Sequence, residues 1–524
     1  MTLTSKTPLQ AKACALVAVS IALATVAAST AAADQLRVFN EKVNGVPSAN
    51  PVMISDNVFS PEFAPALVVE GIDLLENPSG LITQFGNLSD GARTEPDENT
   101  YLILDHNPGG PTPDYDYGRH FLFQGHENSG NLAYITRINL DVASPDHRIT
   151  LMTPVDGTGL TQFNSIDGST WNPFSGTLLF SQEAGTNGGV IEMGADFDPN
   201  TGAGVGLRTL YGSLGRAGYE GIHPDDSGNV WLIEDVGGTT VQNNGRNPNS
   251  FVYRFVPTAP GDLTQGKLQA LQVSINGSPL VFVPVDAQHP NGDTRSNNQL
   301  LLHSVGASWP VRWITLHDTQ TDGTAPFDAN AAAKALGATP FKRPENGQFQ
   351  PGSHFRTFVF DVTGDTDNTA GSDPVLAARG AWGGIFRVDL NANRNTGTIS
   401  LVVLGDADHA AFDNITFADD RDTILVAEDR GDTLHDQLNK LDSVWAYKLN
   451  SQHPDRNLVA RFVALGLDRM ATDEDNEPTG LHMSEGDSTI NGLIGSREFR
   501  TNRARLFFTE QHGENNLFEV FPRD

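Results

Sequence analysis

The sequence predicts an all-β protein, specifically a six-bladed β-propeller with inserted loops and a short helix forming a cap. Three observations carry this. Strand-like runs bounded by Gly, Asn, Asp and Pro dominate, and helical periodicity is scarce. Several runs share one layout, in which an acid opens a short strand, a turn follows, and a second apolar strand ends in another acid before a third strand. The acid-to-acid step is 15 residues from Glu220 to Asp235, and 16 from Asp167 to Glu183, Glu345 to Asp361 and Asp413 to Asp429. Blades separated by irregular insertions produce such spacing, whereas a β-sandwich gives no reason for an acid at one phase of each copy.

Taken in chain order, the first residues read as a secretory leader. Lys6 and Lys12 supply a positive region, Ala13 to Ala28 is apolar or small almost throughout, and Ala31-Ala32-Ala33 offers a cleavage site before Asp34. The expected organisation is a signal peptide over 1–33 and a single propeller domain over 34–524, secreted or periplasmic after cleavage near Ala33. Neither this stretch nor any later one reaches membrane-spanning length, so no stable membrane insertion is expected. The single cysteine, Cys14, lies inside the leader. The mature chain then has no disulfide, thiolate ligand or cysteine nucleophile.

Acids outnumber Lys plus Arg by 64 to 34, a formal charge of −30. Such a surface repels nucleic acid and anionic membranes and suits hard divalent cations.

Six copies of the layout can be traced. A loose one runs from Phe121 through His126-Glu127 to Ala133-Tyr-Ile-Thr. Asp167 opens the next, through Glu183 to Val190-Ile-Glu-Met. Glu220 leads to Glu234-Asp235 and Phe251-Val-Tyr-Arg-Phe. Glu345 to Asp361 is looser, with Ile385-Phe-Arg-Val. Asp413-Asn414 leads to Asp429 and Val444-Trp-Ala-Tyr, and Glu477-Pro-Thr-Gly leads to Glu510-Gln-His-Gly and Leu517-Phe-Glu-Val. Two long connections, Thr258 to Arg295 with a hairpin-like Leu280-Val-Phe-Val and Thr315 to Phe341 with an alanine-rich helix near Asp328 to Leu336, read as cap elements on one face.

In a propeller the innermost strands line a channel and the loops at one mouth converge. The recurring acids Glu183, Glu220, Asp235, Glu345, Asp413 and Glu477 would therefore gather. Gathered carboxylates repel one another unless cations neutralise them, and all-oxygen ligation selects hard ions such as calcium, magnesium, manganese or ferric iron. Arg343 stands two residues from Glu345, and in an extended run the two side chains share a face. One edge would then offer a metal ligand beside a fork for a phosphate or carboxylate, or a structural salt bridge.

Asp196-Phe-Asp198-Pro-Asn200-Thr-Gly202 matches the start of a calcium loop but lacks the closing acid, which favours a plain turn. The acid-rich stretch Asp361 to Asp373 carries the same ambiguity. No Gly-x-Ser-x-Gly, His-Glu-x-x-His or Walker pattern occurs. His126 and His512 read as structural, hydrogen-bonded residues.

From about Phe121 to Val520, the order His126-Glu127, Gly176-Thr-Leu-Leu-Phe-Ser-Gln-Glu183, Tyr219-Glu220, Glu234-Asp235, Arg343-Pro-Glu345, Asp413-Asn414 and Glu477-x-Thr-Gly480 with Gln511-His512-Gly resembles the PhoX family of secreted alkaline phosphatases. The resemblance implies a six-bladed phosphomonoesterase with iron and calcium at the channel mouth. By motif position Glu220, Asp235 and Glu345 look like metal ligands, Glu183 like another, and Arg343 like the phosphate-binding arginine. Two features depart from the family. Its Asn-Cys pair, whose thiolate binds iron, is met here by Asn164-Ser165, and the leader has lysines in place of twin arginines. Both set Ca2+ ahead of Fe3+.

The expected function is an exported metal-dependent phosphoric monoester hydrolase acting on a small-molecule phosphate ester, with Arg343, Glu345 and Glu220 catalytic. A phytase-like or lactonase-like propeller hydrolase, or a non-catalytic calcium-binding propeller, remains open on the sequence.

Overall fold

A computed structural model of the chain describes residues 57–59, 63–142, 144–418, 422–449, 458–464, 477–484 and 505–522. The expected leader, with Cys14 and the cleavage site near Ala33, lies outside the described residues. Among the described residues strands make up most of the regular structure, and the helices are short.

The strands form antiparallel meanders, each built from neighbours in sequence. The first comprises Glu95–Ile103, His120–Glu127, Tyr134–Asn139 and Ile149–Leu151. The second comprises Ile166–Asn172, Thr177–Gln182, Gly189–Met193 and Arg208–Thr209. A third runs Tyr219–Pro224, Val230–Glu234, Val252–Pro257 and Gly266–Ile275, and a fourth Pro344–Phe349, Thr357–Val362, Gly384–Leu390 and Thr396–Leu404. The fifth is Phe412–Phe417, Thr423–Glu428, Ser443–Lys448 and Leu458–Ala464, with Val58–Phe59 on its edge. The last is Glu477–Met483, Leu506–Gln511 and Leu517–Pro522. Phe63–Val69 pairs with Leu517–Pro522 in register from Phe63 opposite Pro522. An early strand thus completes the sheet formed by the last described strands.

The arrangement is propeller-like. The first strand of each meander packs against the first strand of the next, and Glu477–Met483 returns to Glu95–Ile103. Apolar cores fill the wedges between neighbouring meanders. Between the third and fourth, Trp231 meets Phe349 at 5.1 Å and Phe358 at 4.7 Å between ring centroids. Because these first strands are buried on both faces, they show no apolar-polar alternation.

Six separate blades, as expected from sequence, are not what is found. Four sheets of four or five strands stand alone, and the third and fourth meanders merge into one ten-stranded sheet. The strand Trp309–Asp318 joins them, pairing with Gly266–Ile275 on one side and with Thr396–Leu404 on the other. It takes up Thr315 to Asp318, which the sequence assigned to a cap element. The hairpin expected at Leu280 to Val283 is also displaced, since pairing there is limited to Ser278–Pro279. The helix Ala329–Leu336 forms where expected. Asp328 caps it by accepting from the Ala331 N–H, and Gly337 ends it with φ 83°.

Candidate metal and phosphate site at the mouth of the ring

Every first strand carries the same irregularity. In each hairpin the first strand carries one extra residue: between Pro96 and Asn99, Ile166 and Ser169, Tyr219 and Ile222, Pro344 and Gly347, Phe412 and Ile415, and Thr479 and His482. Such bulges bend a strand and re-aim its side chains, and they cluster next to functional sites. In five of the six the first bulged residue is an acid: Asp97, Asp167, Glu220, Glu345 and Asp413. The inner strands are pressed close together here. A Cβ on Gly168, beside Asp167, would lie 2.1 Å from the Glu220 carbonyl oxygen. In the sixth bulge the corresponding residue is Gly480, at φ 57°, where a Cβ would meet Asn99 and the Asp97 carbonyl at 2.7 Å.

The second strands end beside the bulges and bring a second set of acids. Glu127 lies opposite Glu95, and Glu183, Asp235 and Asp429 each follow a strand-ending residue. Asp361 breaks the phase. Val362, not Asp361, pairs with Pro344, so Thr363 holds the position equivalent to Asp235. The 16-residue step from Glu345 to Asp361 is thus a coincidence of spacing. Asp361 is nonetheless wholly buried and accepts from the Asn346 N–H at 2.9 Å, pinning the bulge that carries Glu345.

Three groupings result. Glu220 and Glu345 hydrogen-bond each other, and Arg343 spans from Glu345, at 3.4 Å through Nη2, to Asp235, at 2.8 Å through Nε. Glu183, partly exposed at the rim, faces Asp235 and Arg343. Asp413 and Glu477 join Asp429 in a trio whose carboxylate oxygens lie within 4.8 Å of one another, and Asp97, Glu127 and Asp167 form a second such trio. All six sequence-predicted acids therefore lie in these groupings. Asp97 was missed, because the long loop 104–119 separates its strand from its partner and hides the spacing.

The side-by-side placement of Arg343 and Glu345 has a different origin from the one expected. Arg343 is not extended but left-handed, with φ 49°, a strained choice for a non-glycine residue. Its carbonyl accepts from the Thr363 N–H at 2.8 Å.

The electrostatics disfavour bare charge on these carboxylates. Burial first, then repulsion among neighbours, pushes Asp97, Glu127, Asp167, Glu183, Glu220 and Glu345 well above the usual carboxylate range. Asp413 is pushed up to about 6 by burial and then by Asp429. Both carboxylate oxygens of Asp167 are buried without a hydrogen-bond donor, as are Oδ1 of Asp97, Oε2 of Glu220, Oδ1 of Asp235 and Oδ2 of Asp361. Leaving such oxygens unmatched is expensive unless a proton or cation meets them. The donor set is all oxygen, which fits a hard cation.

Other candidates resolve as structural. Asp198 spends its carboxylate on Asn200 and Thr201 in a turn between Phe197–Asp198 and Ala203–Gly204. In the stretch from Asp361 to Asp373, Asp365 pairs with Lys342 at 2.8 Å, while Asp367 and Asp373 cap short helices. His126 is buried, hydrogen-bonds Thr136 at 2.8 Å and stacks on Tyr134. His512 sits at the mouth, 3.4 Å from Glu95 and 4.0 Å from Glu477. The Ser165 carbonyl accepts from the Glu183 N–H at 2.9 Å, which places Ser165 at the rim between Asp167 and Glu183.

The fold and mouth define a propeller-like β-protein with a carboxylate-lined site around one arginine. Residues 214–463 match the family model described as alkaline phosphatase PhoX, so the resemblance read from the motifs is shown over that region. Among solved structures the chain is similar to Pseudomonas fluorescens PhoX in complex with vanadate, a transition state analogue. That similarity has a TM-score of 0.54 at 13% identity and covers 92% of this chain and 98% of that one. A luciferin-regenerating enzyme (TM-score 0.38, 9% identity, 87% and 95% covered) and a glucose dehydrogenase (0.35, 10%, 88% and 99%) also match. No curated protein sequence matches. The family match supports a phosphatase-type function, and among the described residues no helix is long and apolar enough to cross a membrane.

Proposed function

We propose that the chain is an exported, metal-dependent phosphoric monoester hydrolase built on a propeller-like β-fold. The observation that carries this reading is the convergence of bulge-borne carboxylates, with buried oxygens lacking donors, around Arg343. Glu183, Glu220, Asp235, Glu345, Asp413 and Glu477 are the residues that would hold cations, with Asp97, Glu127, Asp167 and Asp429 beside them. With no thiolate in the mature chain, the donors suit Ca2+ better than Fe3+. A cation held by these residues would supply charge neutralisation at the phosphoryl oxygens and activation of an oxygen nucleophile.

The chain's own part is positioning. Asp235 and Glu345 hold the Arg343 guanidinium from two sides, so its remaining N–H groups present a fork to two phosphoryl oxygens. Those oxygens gain charge during in-line transfer, and a fixed donor stabilises them without reorganising. No serine or cysteine nucleophile is required. The substrate is a small phosphate ester.

The test compares hydrolysis of p-nitrophenyl phosphate by the wild type, Glu345→Gln and Glu220→Gln. Turnover in the wild type that falls at least a hundredfold in both variants supports the reading. Turnover that survives both substitutions, or its absence from a metal-replete wild type, contradicts it.

A further inference from the structure

The contact between Arg343 and Asp235 joins segments of two different meanders, so its length depends on what sets their spacing. Asp235 follows the strand Val230–Glu234 of the third meander, and Val236 comes next. Arg343 stands just ahead of the first strand of the fourth, two residues after Phe341. Ser250, fully buried ahead of the strand Val252–Pro257, touches both segments.

The hydroxyl works in two directions on one residue. Ser250 Oγ accepts from the Val236 N–H at 2.9 Å and donates to the Val236 carbonyl at 2.9 Å. The side chain thus does for Val236 what a neighbouring strand's peptide would do, one residue past Asp235. The Ser250 backbone serves the other segment. Ser250 and Phe341 form an antiparallel bridge, with the Phe341 N–H donating to the Ser250 carbonyl at 2.8 Å. Asn249 adds its N–H on the Phe341 carbonyl at 3.0 Å and its side-chain amide on the Val236 carbonyl at 3.1 Å.

Between Phe341 and Arg343 the chain has little slack. The Phe341 ring packs on Phe360 and Phe386 of the fourth meander, at 5.3 and 5.5 Å between centroids. Lys342 is locked to Asp365 at 2.8 Å with both side chains fully buried. The Thr363 N–H holds the Arg343 carbonyl. Packed segments of this kind transmit a displacement, so a shift at Ser250 passes on to Arg343.

We infer that Ser250 is a positioning residue for the phosphate fork: through Val236 and Phe341 it sets the distance between Asp235 and the Arg343 guanidinium. The inference rests on the reading of Arg343 as the phosphate-binding arginine. Ser250 acts wholly through that pair. In Ser250→Ala the Val236 N–H loses this acceptor, while the bridge to Phe341 and the Asn249 contacts remain. The fold is then kept and the spacing is released.

The experiment is a double-mutant cycle on kcat/KM for p-nitrophenyl phosphate, with Ser250→Ala, Arg343→Lys and both together in calcium-replete protein. Ser250→Ala should lower kcat/KM about tenfold, short of the roughly hundredfold loss that a displaced reacting group brings. Ser250→Thr, which keeps the hydroxyl, should recover most of that loss. In the Arg343→Lys background Ser250→Ala should cost less than about twofold, because the fork it positions is gone. A loss by the same factor in both backgrounds shows a role in folding alone and overturns the assignment. So does a Ser250→Ala variant within about twofold of the wild type. If the wild type hydrolyses no ester, the phosphatase reading fails, and calorimetry with inorganic phosphate still decides the role of Ser250. Phosphate should then bind about tenfold more weakly to Ser250→Ala than to the wild type, with no such difference once Arg343→Lys is present. Equal binding, or a wild type that binds no phosphate, overturns the proposal.

Discussion

Arg343 Nε lies 2.8 Å from Asp235 Oδ2, joining the loop before one inner strand to the end of the neighbouring meander's second strand. The contact fixes a guanidinium whose backbone is already held left-handed by the Thr363 bond. An arginine so tethered pays little to reorganise when charge develops on a bound phosphoryl group.

Replacing Arg343 with Lys should therefore lower kcat/KM for p-nitrophenyl phosphate by about a hundredfold or more, since an ammonium cannot reproduce the fork. Asp235→Asn should fall between that variant and the wild type. Steady-state kinetics on both decide it, and a Lys variant within about threefold of wild type would remove Arg343 from the phosphate site.

Metal-free protein should lose stability as pH rises. The folded carboxylates titrate above their unfolded values, Asp413 at about 6 against 3.8. Between those values the folded state holds more protons than the unfolded chain, so its stability falls with increasing pH. Thermal melts in EDTA should give a lower Tm at pH 7.5 than at pH 4.5, and added calcium should reverse the loss at pH 7.5. A Tm unaffected by calcium at pH 7.5 would mean that the carboxylates satisfy one another without a cation.

Ser165 stands between Asp167 and Glu183 at the rim, at φ 39°. If it occupies the place of the family cysteine, Ser165→Cys should raise the iron retained through purification several-fold, because a thiolate ligates ferric iron more strongly than a hydroxyl. Elemental analysis of the two proteins reads this directly. Equal iron in both would place the lost thiolate elsewhere.

Trp231 packs edge-on to Phe349 and against Phe358, bridging the third and fourth meanders. Trp231→Ala should cost about 3–5 kcal/mol, as expected for emptying a large aromatic site in a packed core. Equilibrium urea unfolding measures it, and a loss below about 1 kcal/mol would show that the wedge collapses to fill the space.

Much of this was legible in the sequence because the repeated hairpins have short turns. Where the turn is short, as from Glu220 to Asp235 or Asp413 to Asp429, the acid spacing survives and marks both strands. Where loop 104–119 intervenes, Asp97 and its strand were invisible. The spacing also misled once, since Asp361 falls at the right count but two residues short of the equivalent position, which Thr363 holds. The merging of two meanders by Trp309–Asp318 could not be read, because edge pairing between distant strands leaves no local pattern. The bulges could not be read either, although they turn a repeated acid into a gathered one.

The most direct test of the central claim is calcium-dependent turnover by the purified mature protein. Bound metals would be measured by elemental analysis, then p-nitrophenyl phosphate hydrolysis before EDTA, after EDTA and after calcium is restored. Bound calcium, activity lost to EDTA and activity recovered on calcium addition are the predicted results. A protein that hydrolyses the ester equally well with its metals stripped, or that binds calcium without hydrolysing any phosphoester, would contradict the account.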